Sequence, residues 1–196
     1  MTESFLEEPP LTPGAQALYD EDRAESGYVW NVSRLWAYQP DTVHQLFELM
    51  SQAFRPSGLS FRQRGILVTA AASTLGDSYC SLAWGGKLSG ATTAALAAGV
   101  LTRSDTGLTE QEKAMAAWAR KVVSDPNATT RTDVQELRDA GLTDEQIFAV
   151  TAFVALRLAF SSINDALGAH PDTQLVESIP EAVSAAVTYG RRPLAD

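Results

Sequence analysis

Apolar residues along this chain are arranged as expected for helices. Val and Ile never form the alternating apolar and polar runs that are typical of half-buried strands. The segment 143–167 is apolar nearly all round, whereas an amphipathic surface helix carries its apolar residues in one stripe. We therefore expect this helix to be central, or to have its outer face covered by another subunit.

Helix start and stop signals divide the rest of the chain. In four capping boxes a hydroxyl residue stands three positions before a side chain that can reach back, namely Ser60 with Gln63, Thr109 with Glu112, Thr130 with Asp133 and Thr143 with Gln146. Asp41, after Pro40, is a further expected N-cap. Glycines mark the expected helix ends, at Gly58, Gly99, Gly141 and Gly168. Together these signals predict an all-α protein with ten helices, near 14–24, 31–38, 41–55, 60–75, 78–90, 91–98, 109–125, 130–140, 143–167 and 179–188.

The helices are expected to form a single domain. Residues 1–13 are predicted to be a flexible N-terminal tail, followed by one helical domain over 14–196. Residues 99–108 form the connection between two helical halves. Neither half is bundle-like alone, so we expect about ten helices to share one core.

Composition narrows the range of partners and compartments. The chain has 196 residues, a net charge of −9 and a pI of about 4.7, which disfavours nucleic acid and anionic membrane surfaces as partners. The N-terminus lacks the pattern of a signal peptide, and the best apolar run, Val150 to Phe160, is too short to span a bilayer and contains Arg157. A single cysteine excludes an internal disulfide and fits a reducing cytosol, so we expect a cytoplasmic protein.

That single cysteine, Cys80, is the most promising reactive group. The segment 76–84 is typical of a turn that opens a helix, with Asp77 or Ser78 as N-cap and Cys80 in the first helical turn. A thiol there is close to the positive end of the helix dipole, which is expected to lower its pKa. The alternative is that Cys80 is a small buried hydrophobic residue without reactivity.

Residues that follow Cys80 on the same helix add to the picture. Trp84 lies four positions later and Lys87 seven, so both share the face of Cys80. Gly85 and Gly86 stand inside the helix, where each costs about 1 kcal/mol relative to alanine. Two adjacent glycines suggest that another backbone approaches closely or that the helix bends.

Two other polar features of the sequence lie outside this helix. Arg157 interrupts the most apolar helix, and it is interpreted either as a snorkelling side chain or as an anion clamp or intersubunit partner. His44 and Glu48 have helical spacing, but two ligands do not make a metal site, and a surface pair is expected. No phosphate-binding loop, Ser/His/Asp set or dinucleotide fingerprint occurs, so neither a metal nor a cofactor is expected.

Several segments, taken in order, resemble a known family. They are 27–31, Pro40 at a helix start, Leu59-Ser60, Tyr79-Cys80 at a helix start, 108–114, 140–147 and 165–168. Over about residues 14–190 the chain resembles the alkylhydroperoxidase D / carboxymuconolactone decarboxylase family, in particular its peroxidase-related branch. The resemblance implies the family's all-α fold and a homo-oligomer, with the helices of the second half in the interface.

The resemblance also implies how the site departs from the family pattern. Peroxidases of the family use a Cys-x-x-Cys pair, of which the first corresponds to Cys80 and the second to Ala83. Their histidine one turn later corresponds to Lys87, and a second common histidine corresponds to Trp84. Their glutamate from the preceding helix has no counterpart, because no acidic residue occurs over 61–76. The usual disulfide-forming cycle therefore cannot operate within one chain.

The first hypothesis is a peroxidase-related, antioxidant oxidoreductase that reduces a small-molecule hydroperoxide through one thiol and an external thiol reductant. Six residues are assigned to its site: Cys80 as the reacting thiol, Lys87 to tune the thiolate, Asp77 as cap, Tyr79 and Trp84 as pocket walls, and Arg157 in support. The second hypothesis is a non-catalytic helical scaffold or small-molecule binder. The third is a lactone decarboxylase, for which only Lys87 and Arg157 offer a proton donor and an anion site.

Overall fold

A computed structural model describes residues 4–194, and all regular elements in this range are helices. There are eleven α-helices in the described range: α1 Pro13–Ser26, α2 Asn31–Trp36, α3 Pro40–Phe54, α4 Phe61–Leu75, α5 Ser78–Ala91, α6 Ala94–Leu101, α7 Glu110–Ser124, α8 Arg131–Asp139, α9 Asp144–Ala166, α10 Thr173–Ser178 and α11 Glu181–Ala186. Short 3₁₀ turns occur at Arg55–Ser57 and Pro126–Ala128. The all-α prediction is confirmed.

Local capping signals predicted most helix ends correctly. All four capping boxes form, with both the side chain of the cap and the side chain three residues later accepting backbone N–H groups. Gly58, Gly141 and Gly168 take the left-handed conformation, with φ of 62°, 93° and 82°, as expected of residues that end helices. These signals succeed because each cap involves residues only a few positions apart.

Two predicted boundaries are wrong. Gly99 does not end a helix; it lies inside α6, which begins after the N-cap Thr93, whose side chain accepts the N–H of Leu96. Asp41 is not an N-cap, because α3 begins at Pro40 and places Asp41 in its first turn. Proline suits that first position since its missing N–H would have no helical partner there.

The C-terminal region contains a helix that the sequence analysis missed. α10 has six residues, and Asp172 stands at its N-cap position without making a side-chain cap; the Asp172 carboxylate accepts the Asn31 N–H and the Tyr79 hydroxyl instead. The last predicted helix, over 179–188, is shorter than expected and runs from Glu181 to Ala186. Pro180 precedes it, and residues 187–194 form no regular element.

The core is built around α4 and α9. α4 packs against α5, α6, α7 and α9, and α9 also contacts α3. One cluster of buried side chains lies between α4, α6, α7 and α9, and a second lies between α2, α3, α5 and α9. Phe54, Ile179 and Val187 touch both clusters, so the two halves of the chain share a continuous core.

α9 is the central helix that its all-round apolar pattern predicts. Val150 and Phe153 are fully buried, whereas Phe148 on the outer face is 76% exposed. The expectation that no stretch is long enough to span a bilayer is wrong. α9 has 23 residues and is apolar enough to cross a membrane, judged by length and composition alone. The core helix of a soluble protein passes the same test, and α9 packs on three other long helices. A subunit that covers its outer face stays a prediction.

The N-terminal end of the described chain lies close to the loop after α9, and the C-terminal end lies close to the start of α5. The Phe5 N–H donates to the Leu167 carbonyl over 2.9 Å, and residues 1–3 of the predicted tail lie outside the described residues. The Ser78 hydroxyl donates to the Arg191 carbonyl over 2.7 Å, and the Tyr189 hydroxyl donates to Ser81 over 3.0 Å. The C-terminal segment therefore covers the first turns of α5, where Cys80 lies.

Candidate active site around Cys80

A cavity of about 380 Å³ opens between α1, α2, α3, α5 and α9, and Cys80 lies in its wall. Six aromatic side chains line it: Trp30, Trp36, Phe47, Tyr79, Trp84 and Phe160. Arg157 reaches the same wall from α9. The cavity thus combines an aromatic lining with one thiol and one buried guanidinium.

The turn between α4 and α5 positions the cysteine. Gly76 ends α4 with φ of 83°, and Asp77 caps α5 by accepting the Cys80 N–H over 2.8 Å. Asp77 is fully buried, and its Oδ2 atom makes no hydrogen bond. The cap therefore holds a carboxylate directly beside the thiol.

Two side chains of α9 contact the sulfur atom. Arg157 Nη2 lies 3.3 Å from Cys80 Sγ, and the Ser161 hydroxyl donates to the same sulfur over 3.6 Å. The two residues are four positions apart, so both project from one face of α9. Arg157 is 4% exposed, and within residues 4–194 it makes no ion pair with a carboxylate.

The expected lowering of the Cys80 pKa is not found. Burial raises the pKa of the Cys80 thiol, the charge of Asp77 raises it further, and Arg157 and Ser161 lower it by less. The thiol is 3% exposed, so loss of hydration outweighs the helix terminus and the single neighbouring cation. Cys80 is therefore a neutral thiol at neutral pH.

Lys87 does not contact the thiol. Its Nζ lies 3.9 Å from Glu25 Oε1 and over the rings of Trp30 and Trp84, at 5.9 and 5.6 Å from their centroids. Lys87 lines the same cavity two turns from Cys80. The cation that touches the sulfur is Arg157, which the sequence analysis had placed only in support.

Tyr79 and Trp84 are the walls on either side of the cysteine. The Tyr79 hydroxyl donates to the Asp172 carboxylate, which also accepts the Asn31 N–H over 2.9 Å. These bonds join α5 to the N-terminus of α2 and to the loop before α10. Trp84 lies between two guanidinium groups, with Arg64 at 5.3 Å and Arg157 at 5.7 Å from its ring centroid.

His44 is a cavity residue that the sequence analysis set aside. It lines the cavity from α3, and its Nε2 lies 3.2 Å from Glu21 Oε2 of α1. The expected partner, Glu48, instead accepts a hydrogen bond from Gln52 over 3.1 Å. No sequence signal pairs α1 with α3, because the contact joins residues 23 positions apart. Within residues 4–194 no three His, Cys, Asp or Glu side chains are grouped as metal ligands would be.

Comparisons with known proteins identify the fold. No protein-family model matches the sequence, and a search of curated proteins finds no match. Among solved structures, the alkylhydroperoxidase AhpD core of an uncharacterised peroxidase-related protein from Ralstonia eutropha JMP134 superposes with a TM-score of 0.79 at 22% identity, covering 92% of this chain and 100% of that one. An uncharacterised peroxidase-related protein from Silicibacter sp. TM1040 gives 0.77 at 17% identity, covering 90% and 95%.

A third similar structure is the debrominase Bmp8. It gives a TM-score of 0.70 at 16% identity, covering 91% of this chain and 96% of that one. A cysteine-to-alanine variant of Bmp8 was solved with 2,3,4-tribromopyrrole. Identities this low establish the shared fold and do not extend to an activity.

Proposed function

We propose, on the premise that this chain has the alkylhydroperoxidase D fold, that it is a one-cysteine thiol oxidoreductase that reduces an organic hydroperoxide. The observation that carries the proposal is the contact between Arg157 and the Cys80 sulfur in the wall of a cavity. A guanidinium at 3.3 Å stabilises a thiolate once it forms. The aromatic lining suits a substrate whose body is apolar.

The reaction has two stages. The Cys80 thiolate attacks the terminal oxygen of the hydroperoxide, the O–O bond breaks, and the alcohol leaves with a proton as Cys80 becomes a sulfenic acid. A first external thiol condenses with the sulfenic acid to give a mixed disulfide and water. A second external thiol attacks that disulfide, which releases the disulfide of the two external thiols and restores the Cys80 thiol.

External resolution fits the surroundings of Ala83, where the family has its second cysteine. Ala83 lines the Cys80 cavity and also a second, more open cavity of about 860 Å³. Trp30 and Lys87 lie on the boundary between the two. A small thiol entering the open cavity would approach Cys80 from the side on which the missing cysteine would lie.

The raised pKa of Cys80 predicts how the reaction rate depends on pH. Because burial and Asp77 raise the pKa of Cys80, the thiolate fraction is small at neutral pH. The rate of sulfenic acid formation should therefore rise about tenfold per pH unit through the neutral and mildly alkaline range.

The test is hydroperoxide consumption with cumene hydroperoxide and dithiothreitol from pH 7 to 9. Cys80→Ser should abolish it, and Arg157→Met should lower its rate by about 10- to 100-fold, the value of a charge-assisted hydrogen bond. Lys87→Met removes a cation of the same cavity that does not touch the sulfur, and should change the rate less than about fivefold. Turnover that persists in Cys80→Ser would exclude the mechanism.

A second candidate is a non-catalytic binder of small aromatic molecules. The raised pKa of Cys80 and the replacement of the second cysteine by Ala83 favour it. The debrominase of the same fold, solved with a tribrominated pyrrole, supports an aromatic occupant. This candidate requires ligand binding with no Cys80-dependent turnover even at pH 9.

A further inference from the structure

We infer that the Cys80 cavity selects a planar aromatic acid, whose anionic group pairs with Arg157 and whose ring lies between the aromatic walls. The inference rests on the proposed function only in using the same site. It specifies the chemical class of the occupant, and it holds for either a substrate or a bound regulator.

The charge of Arg157 is the first argument. Arg157 is 4% exposed, and its Nε atom is buried without a hydrogen-bond partner. A buried guanidinium without a counter-charge is strongly destabilising, because it has lost its hydration. The rings of Phe47, Trp84 and Phe160 face the guanidinium at 6.0, 5.7 and 5.1 Å and stabilise it in part, but none of them carries a formal negative charge. The site is therefore suited to receive an anion.

No carboxylate in the described range forms an ion pair with Arg157. Cys80 contacts Arg157 but is a neutral thiol, since burial raises its pKa. Asp77 lies beside Cys80, bonds to its backbone N–H, and makes no ion pair with Arg157. Burial and, to a smaller extent, the charge of Arg157 lower the pKa of Arg64, so Arg64 adds a second positive charge near Arg157. An acid group on the ligand is the missing partner.

The walls define the rest of the ligand. Trp36 and Phe160 are stacked, with centroids 5.5 Å apart and planes 5° from parallel, and Phe47 meets Phe160 edge-on at 5.1 Å. Trp84 presents its ring beside Arg157. Flat rings pack well against such walls. A volume of about 380 Å³ lies near the lower end of ligand cavities, about 300–1,000 Å³, which suits one or two fused rings.

The mouth of the cavity orients the ligand with its acid inward. Glu21 and Glu25 of α1 lie at the rim, and each has a basic neighbour, His44 at 3.2 Å and Lys87 at 3.9 Å. Glu25 faces a lysine, whereas the neighbour of Glu21 is a histidine that carries a charge only when protonated, so the rim keeps negative charge and repels an anion left at the surface. Arg157, in contrast, is the buried cation of the described lining.

Isothermal titration calorimetry at pH 7.5 tests the inference with three probes. 2-Naphthoate carries ring and charge, 2-naphthamide carries the ring alone, and cyclohexanecarboxylate carries the charge without an aromatic ring. We expect 2-naphthoate to bind at least tenfold more tightly than either of the others. Equal affinity for 2-naphthoate and 2-naphthamide, or no binding of 2-naphthoate, would overturn the inference without any variant.

Variants then locate the charge. Arg157→Gln should reduce 2-naphthoate affinity to that of 2-naphthamide and leave 2-naphthamide unchanged. Arg64→Gln is the matched control, because it removes a guanidinium at a similar distance from Trp84 that does not line the cavity, and it should change 2-naphthoate affinity less than threefold. A naphthoate preference that survives Arg157→Gln contradicts the assignment. If Arg157→Gln does not fold, the comparison of acid with amide in the wild type still decides.

The same titration on Cys80→Ser separates this inference from the proposed function. The variant lacks the reacting thiol but keeps Arg157 and the aromatic walls. Its preference for 2-naphthoate should equal that of the wild type, whether or not the wild type consumes hydroperoxide. If the wild type does not consume hydroperoxide but prefers 2-naphthoate to 2-naphthamide, only the peroxidase proposal is refuted. If it consumes hydroperoxide without that preference, only the ligand class is refuted.

Discussion

Gly86 and Gly90 of α5 should respond to alanine in opposite directions. Both are helical glycines, and alanine would improve the helix propensity of either position by up to about 1 kcal/mol. They differ in surroundings: a methyl group on Gly86 would lie 2.5 Å from Ile179 Cγ2, whereas nothing lies within 4 Å of one on Gly90. The contact that excludes a methyl group is thus a side chain from the segment between α10 and α11.

The sizes follow from these distances. Ile179 Cγ2 is fixed directly to its Cβ, so it cannot swing aside as the end of a long side chain would. Overpacking of this kind costs about 1–3 kcal/mol, and we take the upper half of that range for a 2.5 Å contact. After the gain in propensity, Gly86→Ala should destabilise the protein by about 1–2 kcal/mol. Gly90→Ala should stabilise it by about 0.5–1 kcal/mol.

Urea and thermal denaturation followed by far-ultraviolet circular dichroism measure both effects. For a chain of this length the two variants should differ in Tm by about 3–12 °C. In an Ile179→Ala background the clash is absent, so Gly86→Ala should there be neutral or stabilising. A Gly86→Ala variant as stable as Gly90→Ala would refute the close packing of Ile179 on α5.

Two further predictions concern buried titratable groups. Burial and the neighbouring Asp77 raise the pKa of Asp165 to about 6 from 3.8, so the native state gains stability as pH falls from about 6 to about 4, and Asp165→Asn should remove that dependence. The shift corresponds to ~3 kcal/mol, and because a third of the side chain is exposed, we expect the variant to gain only about 1–2 kcal/mol at pH 7. Urea titrations measure this gain, and a variant that is less stable than the wild type at pH 7 contradicts the prediction. Because the pKa of Cys80 is raised in the native state, stability should fall by about 1.4 kcal/mol per pH unit above the ordinary thiol pKa of about 8.5. Cys80→Ala should have a shallower decline between pH 9 and 10.5, and identical slopes for both proteins would show that the thiol is not buried as described.

Much of the fold could be predicted from the sequence because helix boundaries depend on short-range interactions. The capping box of Ser60 with Gln63 and the cap of Asp77 on Cys80 join residues three positions apart. α10 was not predicted, because the helix is short and the residue at its N-cap position, Asp172, bonds to Asn31 and Tyr79 and not to the helix. The family resemblance, carried by the order of short segments, also led to the correct fold.

The candidate site was predicted only in part. Cys80, Trp84 and Arg157 do line one cavity, but the sequence analysis assigned the tuning of the thiol to Lys87. His44 was set aside because its partner, Glu21, lies on another helix. Helical spacing shows which residues share one face of a helix. It does not show which residues of other helices contact that face.

The sequence by itself determined most of the helices, the central position of α9 and the location of the one cysteine at the start of α5. Only the tertiary structure decided that the thiol is buried, that its pKa is raised and that Arg157, 77 positions away, is the cation that touches it. The physical reason is the sequence separation over which each interaction acts. Caps and helical hydrogen bonds act within a few residues, whereas hydration and electrostatic energy depend on everything packed around a group, wherever it lies in the chain.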